Sequence, residues 1–278
     1  MTLRFGPREL HANELDELRV SNDLSGDFAG LRQRLAEDGY LLLRGLHDPA
    51  LVLQARGQML EKLAAAGALD PERPLLEARI APGKSGAFRG GHNELTRCPA
   101  FQELVRGPRC LEFFSGLRAG KAMTYDYQWL RVVGQGDYTG AHFDVVYMGR
   151  GTQQLLSMWT PLGAVRHEHG PLALCVGSHR APEFSRMRET YGKMDVDRDR
   201  VRGWFSDDPL EIQSRYGGRW ATSEFEPGDA LIFGMFTLHA SLTNVSDEYR
   251  LSSDTRYQLA SEPCDERWIG REPKGHYA

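Results

Sequence analysis

Residues 123–133, MTYDYQWLRVV, open a series of short apolar and β-branched segments: TQQLLSMWTPL at 152–162, PLALCVG at 171–177, DALIFGMFTLHA at 229–240 and YRLSSDTRYQLA at 249–260. Each is of strand length, and Gly, Pro and Asp turns separate them. That pattern suits a sandwich or jelly roll and argues against a parallel α/β sheet, which would place a helix between successive strands. Upstream the periodicity is helical. Phe28, Leu31, Leu35 and Ala36 recur at helical spacing over 27–37, and Asp38-Gly39 is a stop signal. A strand follows at 40–44, then a second helix from Pro49 that ends near Gly67. A third helix over 101–117 is expected to break at Gly107-Pro108. The expected fold is therefore α+β with a mainly β core. It forms one domain over 1–278: flanking helices in 1–120 and a jelly-roll core in 121–260. The charge-dense stretch 181–224 reads as an insertion, either a solvated excursion or a lid over a pocket.

Composition narrows the class of partner. A chain of 278 residues with 41% hydrophobic content buries one substantial core. The net charge of −4, with acidic and basic residues interleaved, leaves no broad electropositive face for a nucleic acid or a membrane surface, so a small molecule is the expected partner. The N-terminal stretch MTLRFGPRELHANELDELR is polar, and no apolar run approaches membrane-spanning length, so we expect a cytoplasmic protein. Cys98, Cys110, Cys175 and Cys264 are far apart and form no CxxC pair; they read as reduced structural thiols.

The chemistry concentrates in His142-Phe143-Asp144, in His239, and in Arg250 eleven residues further on. Two imidazoles and a carboxylate are the donor set that holds iron(II) by one face and leaves positions open for oxygen and a co-substrate. If the tripeptide is a strand, His142 and Asp144 point to one side and Phe143 to the other. His167-Glu168-His169 has the same alternation, but it precedes Gly170-Pro171 and reads as a turn at the surface or the pocket rim. His179 falls at a strand end and is expected to be structural or near the mouth. Alternation also puts Arg250, Ser252, Asp254 and Arg256 on one side of their strand. Charges facing a barrel interior need partners. Arg256 is therefore expected either to pair with Asp254 or another carboxylate, or to bind substrate.

Taken in order, HxD at 142–144, W-x-x-L at 159–162, G-P-L at 170–172, G-S-H-R at 177–180, P-G-D at 227–229, H-x-S-x-x-N at 239–244 and the trailing Arg250 resemble the phytanoyl-CoA dioxygenase family of iron(II)/2-oxoglutarate oxygenases. The resemblance covers 121–258, about half the chain. It implies a double-stranded β-helix of cupin-like type, with iron held at one mouth by His142, Asp144 and His239. It further implies that Arg250 binds the far carboxylate of 2-oxoglutarate through a planar, permanently charged fork. Ser241 would assist, with Trp159 and Thr124 as further co-substrate contacts. The implied reaction consumes O2 and 2-oxoglutarate, releases succinate and CO2, and places a hydroxyl on an unactivated C–H. Asp144 favours hydroxylation over halogenation, because chlorinating members carry a small residue there.

Substrate contacts are expected in less constrained places: the glycine-rich run 82–91, Tyr125, Tyr127, Gln128, Trp129 and Arg256, with Lys84 and Arg89 able to attract an anion. Two other readings of the same residues stay open. One is a non-catalytic jelly-roll protein that binds or senses a metabolite. The other is a cupin-type metal oxygenase without 2-oxoglutarate, which would leave Arg250 unexplained.

Overall fold

The computed structural model describes residues 2–11, 14–84 and 92–276. Asp27 caps the first helix, Phe28–Asp38, by accepting the Gly30 N–H at 3.0 Å, and Gly39 ends it at φ +83° with its N–H on the Leu35 carbonyl. Glycine is demanded twice at that position, since an added Cβ would also lie 2.4 Å from the His179 ring. His179 in turn donates from Nε2 to the Ala36 carbonyl at 3.0 Å, a structural role. Asp48 and Pro49 start the second helix, Pro49–Ala65. Gly107-Pro108 divides the third helical stretch into Pro99–Arg106 and Pro108–Leu117, because a residue before proline is pushed out of the helical region and Gly107 sits at ψ 164°.

The strands form two main sheets and a separate two-stranded ribbon, Arg4–Phe5 with Arg8–Glu9. In the larger one the order is Tyr40–Leu43, Ala230–Gly234, Leu156–Pro161, Arg250–Leu259, Ala122–Thr124, and Trp129–Val133 pairs with the first half of Arg250–Leu259. The smaller sheet runs His239–Ser241, Leu172–Val176, Arg219–Thr222 and Asp16–Glu17. Neighbours distant in sequence, paired antiparallel throughout the larger sheet, make this a jelly roll. Trp159, Leu174, Phe225, Leu231 and Phe233 fill the space between the sheets. The helices cover the outer face of the larger sheet: Tyr257 stacks on Phe114 of Pro108–Leu117 with ring centroids 3.8 Å apart and planes 4° from parallel.

Several boundaries differ from expectation for identifiable reasons. The stretch 123–133 is two strands, because the Asp126 and Tyr127 N–H groups leave the ladder and both donate to the Trp268 carbonyl at 3.0 Å. The stretch 229–240 divides between the two sheets at the turn after Gly234. Segment 181–224 is neither a solvated excursion nor wholly an insertion. Phe184, Met187, Tyr191, Val196, Leu210 and Ile212 are buried in the core, and Arg219–Thr222 is an interior strand of the smaller sheet. The first 120 residues likewise do more than support, since Asp16–Glu17 and Tyr40–Leu43 each extend a sheet. Among the described residues no helix is long and apolar enough to cross a membrane.

His47, buried behind the larger sheet near Thr160, gives the fold a pH dependence. Burial, with the Arg109 charge adding to it, pushes the imidazole down to about 4. The unfolded chain binds this proton near pH 6.5 and the folded chain does not, so stability is present above that value and is lost as pH falls toward 4. Denaturant unfolding of wild type and His47→Gln at pH 6.5 and 4.5 is expected to show the variant losing about 2 kcal/mol less between the two. Equal losses would assign the acid sensitivity to other groups.

Candidate active site

Cross-strand register assembles the site. His142 and His239 exchange backbone hydrogen bonds at 2.9 and 3.1 Å, and this bridge brings the imidazoles to 4.1 Å between centroids. Each Nδ1 lies against a backbone carbonyl: His142 on Gly140 at 2.8 Å and His239 on Thr237 at 2.9 Å. A carbonyl only accepts, so Nδ1 carries the hydrogen and each Nε2 presents a lone pair. Both Nε2 atoms face the same carboxylate oxygen, Asp144 Oδ1, at 3.9 and 3.7 Å. Among the described residues His142, Asp144 and His239 form a group of potential metal donors whose ligand atoms all lie within 4.8 Å of one another.

The expected strand alternation does not bring Asp144 there. Asp144 adopts helical backbone at φ −63°, ψ −27° and heads the short helix Val145–Met148, so the chain turns after Phe143, which is buried in the core. Burial alone would raise the Asp144 carboxyl. Arg256 first, then His239, His142 and the Ser157 hydroxyl, outweigh it and hold the group well below the ordinary carboxylate range. Arg256 Nη2 donates to Oδ1 at 3.2 Å, and Ser157 Oγ donates to Oδ2. Burial, aided for His142 by the neighbouring His239, holds both imidazoles neutral. A fixed anion between two lone pairs is a donor set fitted to a divalent cation.

Arg250 is fitted to an anion. It is 3% exposed, it lies 5.9 Å from the Trp159 ring centroid, and among the described residues its one hydrogen bond runs from Nη1 to Ser252 Oγ at 2.8 Å. Nε and the Trp159 Nε1 are both buried without a partner among the described residues. The nearby Asp254 is taken by Arg131, so among the described residues no carboxylate pairs with Arg250. Burial, then the Arg131 charge, lowers this guanidinium to about 10, which still leaves it charged at neutral pH. Ser241 lies on the same inner side of the smaller sheet, buried, with Oγ accepting the Thr139 N–H at 2.9 Å.

Other expected contacts fare differently. Thr124 pairs across the ladder with Tyr257, whose side chain packs outward on Phe114; directly opposed residues share a face, so Thr124 points to the helices and away from the interior. Gln128 also turns away, accepting from Gln102 Nε2 at 2.7 Å. Arg89 and most of the glycine-rich run lie outside the described residues. Arg256 does find a carboxylate, Asp144 in place of Asp254, and lies 5.0 Å over Trp129. His167 and His169 face Glu224 and Glu248, apart from the triad.

A cavity of about 190 Å³ opens onto His142 and Asp144. Tyr127, Trp129, Tyr147 and Trp204 supply aromatic wall, and Arg131, Arg256 and His276 supply its polar groups. A larger hollow of about 450 Å³ lies beside the first helix, but it is lined by none of the three donors. Sequence reasoning missed Ser157, Arg131, Tyr147, Trp204 and His276. Ser157 and Arg131 had a signal, since they share strand parity with Trp159 and Trp129.

The model of the family described as Phytanoyl-CoA dioxygenase (PhyH) matches residues 35–252. A 1-deoxypentalenic acid 11-beta-hydroxylase from Streptomyces exfoliatus is 30% identical over 236 residues, covering 81% of this chain and 79% of its own length. Its counterpart from Streptomyces arenae is 28% identical over the same shares. Among solved structures, EctD from S. alaskensis with 2-oxoglutarate and 5-hydroxyectoine superposes with a TM-score of 0.63 at 19% identity, over 100% of this chain and 94% of the other. The epimerase SnoN in complex with Fe3+, alpha ketoglutarate and nogalamycin RO does so with 0.61 at 18%, over 91% and 94%. With the family model spanning both ends of the triad and Arg250, the chain belongs to the phytanoyl-CoA dioxygenase family of iron(II)- and 2-oxoglutarate-dependent oxygenases.

Proposed function

We propose that the protein hydroxylates an unactivated C–H of a small natural-product intermediate, a compact carboxylic acid with an apolar body. His142, Asp144 and His239 would hold iron(II), and Arg250 with Ser241 would hold the far carboxylate of 2-oxoglutarate. Bound there, iron(II) and 2-oxoglutarate supply the oxidative activation of O2, with succinate and CO2 as co-products. The observation that carries the reading is the conjunction of two features. One is a donor triad with both imidazole tautomers set by backbone carbonyls; the other is a buried guanidinium with no carboxylate of its own. A binding protein has no use for both, and a cupin-type oxygenase would leave Arg250 unmatched.

The chain's own residues do the rest. Arg256 and Ser157 orient Asp144 from two sides, the Nδ1–carbonyl bonds leave each Nε2 lone pair facing the metal position, and burial keeps both imidazoles unprotonated. The aromatic wall excludes water and accepts an apolar body, while Arg131 and Arg256 are each held by a carboxylate, Asp254 and Asp144. A carboxylic acid substrate is supported by the acid named for the Streptomyces hydroxylases. Anaerobic titration of the protein with iron(II) and 2-oxoglutarate tests the assignment. A visible charge-transfer band saturating with 2-oxoglutarate is expected; bound iron with no band would sink it.

A further inference from the structure

One residue lining the cavity, His276, comes from beyond the last strand of the barrel. Beyond the strand Arg250–Leu259 the chain doubles back, and this return lies outside residues 35–252, the part matched by the family model. It is clamped rather than merely packed. Arg267, 5% exposed, binds the Asp265 carboxylate at 2.6 and 3.0 Å, pairs with Asp197, and donates to the Tyr147 carbonyl at 2.9 Å. Trp268 is fully buried, donates from Nε1 to Asp265 Oδ2 at 3.0 Å, and accepts the two N–H groups that interrupt the strand at 126 and 127. The Tyr147 carbonyl belongs to the short helix headed by Asp144, so the clamp ties the return directly to the element that carries the central carboxylate.

What the clamp delivers is His276. Gly275, at φ +77° with its N–H on the Arg267 carbonyl, passes so close to Tyr127 that an added Cβ would lie 3.2 Å from the ring. The next residue, His276, then lines the cavity. Its ring centroid is 4.8 Å from Trp268 and 5.7 Å from Tyr147, and Nδ1 lies 3.3 Å from both Asp197 oxygens. A cover that only had to keep water off an aromatic wall would be apolar. Here two buried carboxylates and a buried guanidinium are committed to holding an imidazole at a set place in the wall, and a placed polar group in an apolar pocket orients a ligand.

We propose that the C-terminal return, residues 263–276, is the substrate-selecting wall of the pocket, and that His276 is a specificity-determining residue in contact with the bound substrate. The proposal rests on the oxygenase reading above. Its position fits that division of labour: the triad, Arg250 and the aromatic wall lie within the family-matched residues, and His276 lies beyond them.

The test uses the full-length protein loaded with nickel(II) and 2-oxoglutarate, which binds without turnover, and then the iron(II) enzyme. The ligands are a panel of small alicyclic and aromatic carboxylic acids. Binding is read by calorimetry, and KM by acid-stimulated succinate formation. Two variants are compared with wild type: His276→Ala removes the imidazole, and Gly275→Val displaces it without touching a polar group. Both are expected to weaken the acid preferred by wild type about tenfold, the size of one lost hydrogen bond in a buried pocket, and to reorder the panel. His276→Gln, which keeps a hydrogen-bonding side chain, is expected to recover part of the loss. The 2-oxoglutarate affinity is expected to change less than about twofold in all three. Unchanged acid affinities and panel order in both His276→Ala and Gly275→Val would overturn the proposal. Failure of wild type to bind 2-oxoglutarate in a metal-dependent way would instead overturn the oxygenase reading beneath it.

Discussion

Arg250→Met is expected to raise the thermal midpoint of the metal-free protein and at the same time to abolish most of its stabilisation by 2-oxoglutarate. Both effects follow from one imbalance. A guanidinium 3% exposed, with a serine hydroxyl as its single hydrogen-bond acceptor among the described residues, is held in the fold at a cost, and methionine of similar length removes that cost. The gain is on the order of 1 kcal/mol or more. In the presence of manganese(II) and 2-oxoglutarate the sign reverses, because wild type pairs the charge with the co-substrate and the variant cannot. Truncating one partner of a buried charge pair costs about 2–5 kcal/mol, which is roughly a 30-fold or greater rise in Kd. Midpoints measured with metal alone and with metal plus 2-oxoglutarate separate the two effects. A variant that is less stable when metal-free, yet still stabilised by 2-oxoglutarate, would show Arg250 to be an ordinary structural cation.

Asp144→Ala is expected to lower the midpoint and to eliminate any metal-induced rise. The loss of stability comes from Arg256, which keeps its buried charge and loses the carboxylate 3.2 Å away; breaking such a pair costs about 3–5 kcal/mol. Adding Arg256→Leu to Asp144→Ala removes the stranded charge, so the double variant is expected to recover much of the midpoint and none of the metal response. Arg256→Leu alone makes the contrasting case. The carboxylate is then unmatched until a divalent cation arrives, so the metal-free midpoint falls while the rise on adding manganese(II) grows. If Asp144→Ala keeps a metal-induced rise of wild-type size, Asp144 is not a ligand, and the convergence of His142 and His239 on its oxygen has another purpose.

The element types and the donor set were legible because each rests on local order. Alternation over 249–260 put Arg250, Ser252, Asp254 and Arg256 on one side, and the long strand keeps that parity without a bulge. Asp27 and Gly39 bound the first helix as capping residues do, and Gly107-Pro108 broke the third stretch where a proline must. The same local logic failed at Asp144. A strand reading of His142-Phe143-Asp144 predicts the right convergence by the wrong geometry, since the chain enters a helical turn at the carboxylate. Thr124 failed for a related reason: its face is set by pairing with Tyr257, which the strand Ala122–Thr124 does not encode by itself.

Residue chemistry and short-range periodicity thus mark which side chains are candidates to bind a cation or a carboxylate and where strands form, because donor type and two-residue alternation are properties of neighbouring positions. Partnership is a different matter. That Arg131 takes Asp254 and leaves Arg256 for Asp144, that Ser157 steadies the same carboxylate, and that His276 returns from the far end of the chain to the cavity all depend on register between strands and on a clamp joining 147, 197, 265 and 267. Apart from 265 with 267, those contacts join residues 13 to 123 positions apart, and they form only once burial of the two sheets has selected one pairing among many.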